Sequence, residues 1–230
     1  DHHAHGDDIS ESRYVDPAAP STTAALVDIF DAGNIGISGG SGGMAEALFL
    51  GLATDTGWFA HSNADARAFG LATRLLELGV DKDGLYQRVE QSYAASRLAL
   101  ETRALGSLEY LADGAVALMA LSPEDFEATG ASVTDTTGIV NLPLQVRSVR
   151  MTVLLTEPEA GLTKVSFRSK APVPGTMFID VNDLARELGG GGHRQAAGAR
   201  VEQALGPARD RVRETVVAYI ANRASASAGS

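Results

Sequence analysis

The spacing of apolar residues along the chain changes once, and that change limits the fold more than any other feature. Up to about residue 106 they recur at helical intervals, as in "PSTTAALVDIF", "MAEALFLGLATD" and "DGLYQRVEQSYAASRLALETRALGSL". Beyond it they gather in short runs rich in Val, Leu and Met: "AVALMAL", "RSVRMTVLLTE" and "LTKVSFRSK", the last alternating. A helical first part is thus followed by a strand-bearing second part. With 230 residues, 44% of them hydrophobic, the chain can bury one large core or two small ones.

Local signals set the elements. Ser21 is a good N-cap for a helix carrying Leu26, Val27 and Phe30. "GNIGISGGSGGM" lacks the Lys of a phosphate-binding loop and reads as a surface connector. A buried helix from Met44 to about Leu52 ends in the turn "TDTG", which brings Asp55 to the mouth of a cleft. Ser62 is expected to cap a helix with Phe69, Ala72 and Leu76 at helical spacing and Gly79 as its stop. Asp180 caps a compact helix with Val181, Leu184, Ala185 and Leu188 on one face, and Gly206 and Pro207 open a last helix carrying Val212, Val216, Val217 and Ile220. These signals give four segments: a first lobe over 1–83, a linker helix over 84–105, a second lobe over 106–222 and a disordered tail over 223–230.

Charge and composition then exclude classes of function. A net charge of −10 argues against coating duplex nucleic acid, which needs clustered Lys and Arg, but leaves room for a small anion in a local basic pocket. With aromatics at only 6%, no stacking track for long single strands is evident. The absence of cysteine excludes disulfides and thiolate metal sites, so only His and carboxylate ligands remain. Neither a membrane-length apolar run nor a secretion signal is present, and a cytoplasmic protein is expected.

Two constellations carry chemistry. "DHH" at the start and "ATDTGWF" further on offer His2 and Asp55, an imidazole and a carboxylate on separate elements, as metal-assisted hydrolysis requires. Asp1 fits a supporting role, accepting the second ring N–H of a ligating histidine. A solvated terminus, or an incidental amino-terminal chelate of copper or nickel, would read the same way. In the second half, period two puts Lys164, Ser166, Arg168 and Lys170 on one strand face and Val165 and Phe167 on the other. Arg168 can fork a phosphate while Lys170 adds a point charge. In "GGGGHRQAAG", Gly190, Gly191 and Gly192 suit close backbone approach to an anion, with His193 and Arg194 as side-chain donors.

Taken in order, "DHH", "VDP…PSTT", "GLATDTGWF", "SFRSK" and "GGGGHRQAAGA" resemble the DHH phosphoesterases, and within them the small two-domain branch of oligoribonucleases, 3′-phosphoadenosine 5′-phosphate (pAp) phosphatases and cyclic dinucleotide phosphodiesterases. The resemblance implies an α/β phosphoesterase lobe with a parallel-type sheet, two manganese ions (magnesium or cobalt being alternatives), and a smaller α/β substrate lobe. It makes His2 and Asp55 metal ligands, sets His3 beside the scissile phosphate with Asp1 in support, and gives Arg168, Ser169, Lys170 and the loop from Gly190 through His193 to the substrate phosphate. Short oligonucleotides, dinucleotides or pAp-like molecules are the implied substrates. Period two puts Ser169 on the opposite face from Arg168, which ranks it lower.

The family's other metal-binding motifs, which precede "DHH", have no counterpart here. The expectation is therefore a phosphoesterase lobe that lacks its first part, is weak or inactive by itself, and exposes apolar patches that favour association, a homodimer among the outcomes. Two alternatives stand beside it: a nucleotide-binding module without chemistry, and a pyrophosphatase or polyphosphatase of the same superfamily.

Overall fold

A computed structural model describes residues 1–2, 10–173 and 176–228. The chain divides into two compact units, Asp1–Ser92 and Tyr93–Ser230. The boundary falls inside the segment expected to be one linker helix. That segment is two helices, α4 (Lys82–Glu90) and α5 (Ala95–Gly106), because Gln91 ends the first and Ala94, in extended backbone, begins the second.

In the first unit the described residues form helices and no strand: α1 (Thr22–Ala32), α2 (Met44–Asp55), α3 (Ala66–Glu77) and α4. Ser21 caps α1 as expected, its hydroxyl accepting from the Ala24 N–H at 3.0 Å. The helices pack through Val27, Leu48, Phe49, Leu52, Leu75 and Leu85. Helix α3 departs from expectation in both cap and face. Asp65 caps it in place of Ser62, and its buried residues are Ala68, Ala72 and Leu75, while Phe69 is 53% and Leu76 41% exposed. The small Ala68 and Ala72 let it approach α2 closely. Across α1 and α3, Arg74 makes a two-pronged ion pair with Asp31, both contacts at 2.7 Å, and Arg67 bridges Asp16 and Asp28.

The second unit holds a mixed six-stranded sheet in the order β1-β2-β3-β4-β6-β5. Its strands are β1 (Glu109–Leu111), β2 (Val116–Leu121), β3 (Met151–Glu159), β4 (Leu162–Ser169), β5 (Gly191–His193) and β6 (Ala196–Val201). Only β2 and β3 pair in parallel. Strand β2 is buried on both sides, its Val116 and Leu118 in one core and its Met119 and Leu121 in another. A short helix α6 (Pro123–Thr129) follows β2, and helices α7 (Val181–Glu187) and α8 (Leu205–Ala228) close the first core over Val165, Phe167, Ala197 and Val201. Helix α5 and a 3₁₀ segment, Ile139–Gln145, close the second over β2 and β3. Past β3 this second face opens, and Lys164, Ser166, Arg168, Ala196 and Gly198 stay part-exposed along it.

Helix α7 is as expected, with Asp180 as its cap and Val181, Leu184, Ala185 and Leu188 buried. Helix α8 buries Val212, Val216 and Ile220 but leaves Val217 45% exposed, because 217 lies off the 3.6-residue stripe that the other three share. It also continues through Ala228, across most of the segment expected to be a disordered tail, consistent with the high helix propensity of its alanines. No helix among the described residues is long and apolar enough to cross a membrane.

Candidate functional site

In the first unit the fold brings together the two residues offered as metal ligands. His2 Nε2 lies 3.6 Å from Asp55 Oδ2. The other ring nitrogen, Nδ1, is 3.3 Å from the carbonyl of Ala19, and with the proton on Nδ1 the Nε2 lone pair is directed to Asp55. The expected partner of that nitrogen was Asp1. Its carboxylate instead takes the backbone N–H of His2 at 2.7 Å and the Thr22 hydroxyl at 3.2 Å, which fixes the main chain rather than the ring. His3 lies outside the described residues.

Asp55 is the last residue of α2, and the chain then makes an unusual turn. Gly57, Trp58 and Phe59 have φ of 57°, 54° and 67°, three successive left-handed residues of which two are aromatic. Each non-glycine in that region costs about 1–2 kcal/mol. Packing and hydrogen bonds offset this. Trp58 donates its indole N–H to Glu90 at 2.8 Å and meets Tyr86 edge-on at 4.8 Å, and Phe59 packs on Phe69 at 5.3 Å. Asn63 completes the support. Its Nδ2 donates to the carbonyls of Pro20 at 2.8 Å and Asp55 at 3.1 Å, tying the segment that holds the His2 ring to the residue that faces it. Neither Asn63 nor Ala19 was legible as a site residue, because a backbone acceptor has no sequence signature.

The donor set suits a divalent cation. Imidazole and carboxylate are ligands for manganese, magnesium or cobalt. Two donors about 2.1 Å from one ion at right angles stand about 3.0 Å apart, so the observed 3.6 Å needs little closure. Among the described residues no third His, Asp or Glu joins the pair.

In the second unit, cross-strand register builds rows on the open sheet face. Arg168 pairs with Ala196, which pairs with His193, so a cation and an imidazole flank one methyl group. Burial pushes the Arg168 guanidinium below its ordinary pKa, and its only hydrogen bond among the described residues goes to the Phe167 carbonyl, at 2.9 Å. A half-buried cation with no carboxylate partner among the described residues is poised to take an anion. Lys170, just past β4, gives its ammonium to the carbonyls of Val146 at 2.7 Å and Arg147 at 3.4 Å; burial and then Arg150 lower its pKa. Ser169 is buried on the other face and donates to the Arg194 carbonyl at 3.4 Å, bracing the β5–β6 turn. It does not join Arg168.

The glycine run corrects an expectation. It is not a loop of open amides, because Gly191–His193 is the edge strand β5. The N–H of Gly189 goes to Arg186, that of Gly190 to Ala185 at 2.7 Å, and that of Gly192 to the Asn182 side chain at 2.9 Å. The glycines are needed for closeness to β6: a Cβ on Gly190 would stand 2.1 Å from the Gly198 carbonyl oxygen, and one on Gly192 2.6 Å from that of Ala196. Arg194 is turned to Asp180 at 2.9 Å and lies over the Phe178 ring, so its charge is already matched. His193 remains as the exposed donor of the run.

Comparison with known proteins places this geometry among relatives. Residues 115–222 match the model of the DHHA1 domain. The chain is 31% identical over 217 residues to the bifunctional oligoribonuclease and PAP phosphatase NrnA of Thermus thermophilus, covering 94% of this chain and 62% of that protein. It is 27% identical over 199 residues to a probable protein of the same description from Streptococcus mutans, covering 86% and 60%. The crystal structure of an exopolyphosphatase-related protein from Bacteroides fragilis superposes with a TM-score of 0.82 at 26% identity, covering 95% of this chain and 62% of that one. The chain thus spans about three fifths of the length of these relatives.

Proposed function

We propose that the chain, whose residues 115–222 match the DHHA1 domain, is a DHH-family phosphoesterase and that it hydrolyses phosphoesters of short oligonucleotides, dinucleotides or pAp with a divalent ion, manganese first. What supports this most is the meeting of His2 Nε2 and Asp55 Oδ2, residues far apart in the chain and supplied by different elements. His2 and Asp55 would hold the ion. When bound it supplies positive charge to phosphoryl oxygens and a lowered pKa to attacking water. Ala19 keeps the His2 ring in its ligating tautomer, and Arg168 with His193 takes a substrate phosphate on the sheet face of the second unit.

With two donors among the described residues, the 230 residues alone are expected to turn over slowly. Incubated with pAp or a dinucleotide, they should release product only when Mn²⁺ is added. Binding of both ligands in chelator, with no turnover on adding Mn²⁺, would instead identify a nucleotide-binding module without chemistry.

The bridge made by Asn63 leads to a second expected result. Asn63→Ala should weaken Mn²⁺ binding about tenfold, the size typical of groups that orient a ligand. Nitrogen-15 NMR without metal should show the His2 ring losing its preference for a proton on Nδ1. An unchanged tautomer would mean that Asn63 supports only the fold.

A further inference from the structure

On the same open face, two rows along from Arg168, lies a groove of about 420 Å³ lined by Lys164, Ser166, Gly189, Gly190, Gly198 and Arg200. The pairing of β4 with β6 sets Lys164 directly opposite Arg200, and Ser166 opposite Gly198. The groove therefore has two cations at one end and, beside them, a row whose β6 member has no side chain.

Like charges directly opposite one another in an antiparallel pair destabilise a sheet. Here the pair is kept in a protein with 29 acidic and 19 basic residues, and neither cation makes an ion pair with a carboxylate among the described residues. Relieving the repulsion would take one acidic side chain at either position. Two like charges set side by side at a groove point to an anion that joins them when bound.

We propose that Lys164 and Arg200 form a second phosphate subsite, occupied by an inner phosphodiester of a single strand longer than a dinucleotide. The proposal rests on the reading of Arg168 and His193 as the first phosphate position. From Arg168 to Lys164 is four residues of strand, about 13 Å at the usual rise. One ribose cannot bridge that distance, so pAp fills a single row at a time. A longer strand reaches both, with Ser166 and the bare Gly198 giving its backbone room between them. The site would thus read length rather than sequence, through charge and shape alone.

The test uses the whole 230-residue chain in chelator, with a fluorescent RNA pentanucleotide and a dinucleotide as probes. Lys164→Glu should weaken the pentanucleotide roughly tenfold or more, as loss of a charge-assisted contact does, and leave the dinucleotide within about twofold. The slope of log affinity against log salt for the pentanucleotide should fall by roughly 0.7 or more. Thermal melting should hold or rise, since the repelling pair becomes an attracting one; if it falls, Arg200→Gln serves as the second variant.

Arg168→Gln should weaken both probes. Equal weakening of both probes by Lys164→Glu, or of neither, overturns the subsite. Loss of the longer probe alone in Lys164→Glu, with both unaffected in Arg168→Gln, keeps the subsite and removes the first phosphate position instead. Tripolyphosphate bound by the wild-type chain as tightly as the pentanucleotide would overturn the assignment to a nucleotide strand.

Discussion

Asp55→Asn will lower the affinity of the chain for Mn²⁺ by about a hundredfold or more, and will do so without loosening the fold. The substitution keeps the shape of the side chain and removes its charge, so an ion held at the proposed site would lose its anionic donor and keep only the His2 imidazole among the described residues. Stability should move the other way. Asp55 ends α2, where the helix carries partial negative charge, and a carboxylate there is unfavourable. Melting temperature should therefore stay constant or rise slightly while metal binding disappears. Calorimetric titration with Mn²⁺ alongside a thermal melt separates the two effects. Undiminished Mn²⁺ affinity would mean that the closeness of His2 and Asp55 is a surface ion pair and nothing more.

Gly190→Ala will have the largest effect in the second unit, and its immediate neighbour supplies the control. A methyl group at 190 would be driven to 2.1 Å from the Gly198 carbonyl oxygen and 2.7 Å from the Ala199 Cα, all backbone that cannot step aside. Relief requires β5 to move off β6, carrying His193 out of its row with Ala196 and Arg168. Overpacking of this kind costs about 1–3 kcal/mol, on the order of 5–10 °C in melting temperature. At Gly191 the nearest atom is the Asn182 side-chain oxygen, at 3.9 Å, so Gly191→Ala should melt close to wild type. Nucleotide affinity should follow the same order, unchanged at 191 and strongly reduced at 190. If both variants behave alike, the close approach of β5 to β6 is not what the glycines are for.

Those two glycines show what a sequence can and cannot convey about such a site. Four glycines in succession announce that backbone comes close to something, but the same pattern serves a ligand loop and a strand laid tightly against its neighbour. The deciding fact is the pairing of Gly191 with Gly198, a long-range register absent from local pattern. Alternation in "LTKVSFRSK" was legible for the opposite reason: its period is local, and Val165 and Phe167 are buried while Lys164, Ser166 and Arg168 are not. Arg200 carries no local signal although it shares a two-residue period with Ala196 and Gly198, because its meaning depends on the strand across from it. Helix caps at Ser21 and Asp180 could be read directly, since a short polar side chain answers its own backbone. Asp65 displaced Ser62 as the cap of α3, and with that start the buried face fell on Ala68, Ala72 and Leu75, which tertiary packing against α2 selects over larger residues.

In the proposed function the Arg168 row grips the nucleotide phosphate. The most direct test of this grip is a titration of the metal-free chain with pAp, followed through the side-chain NMR signals of Arg168 and His193. Both should shift together in a single saturable transition, and Arg168→Gln should abolish the response at His193. Saturable binding that leaves both signals unmoved, with shifts confined to residues elsewhere, would contradict it.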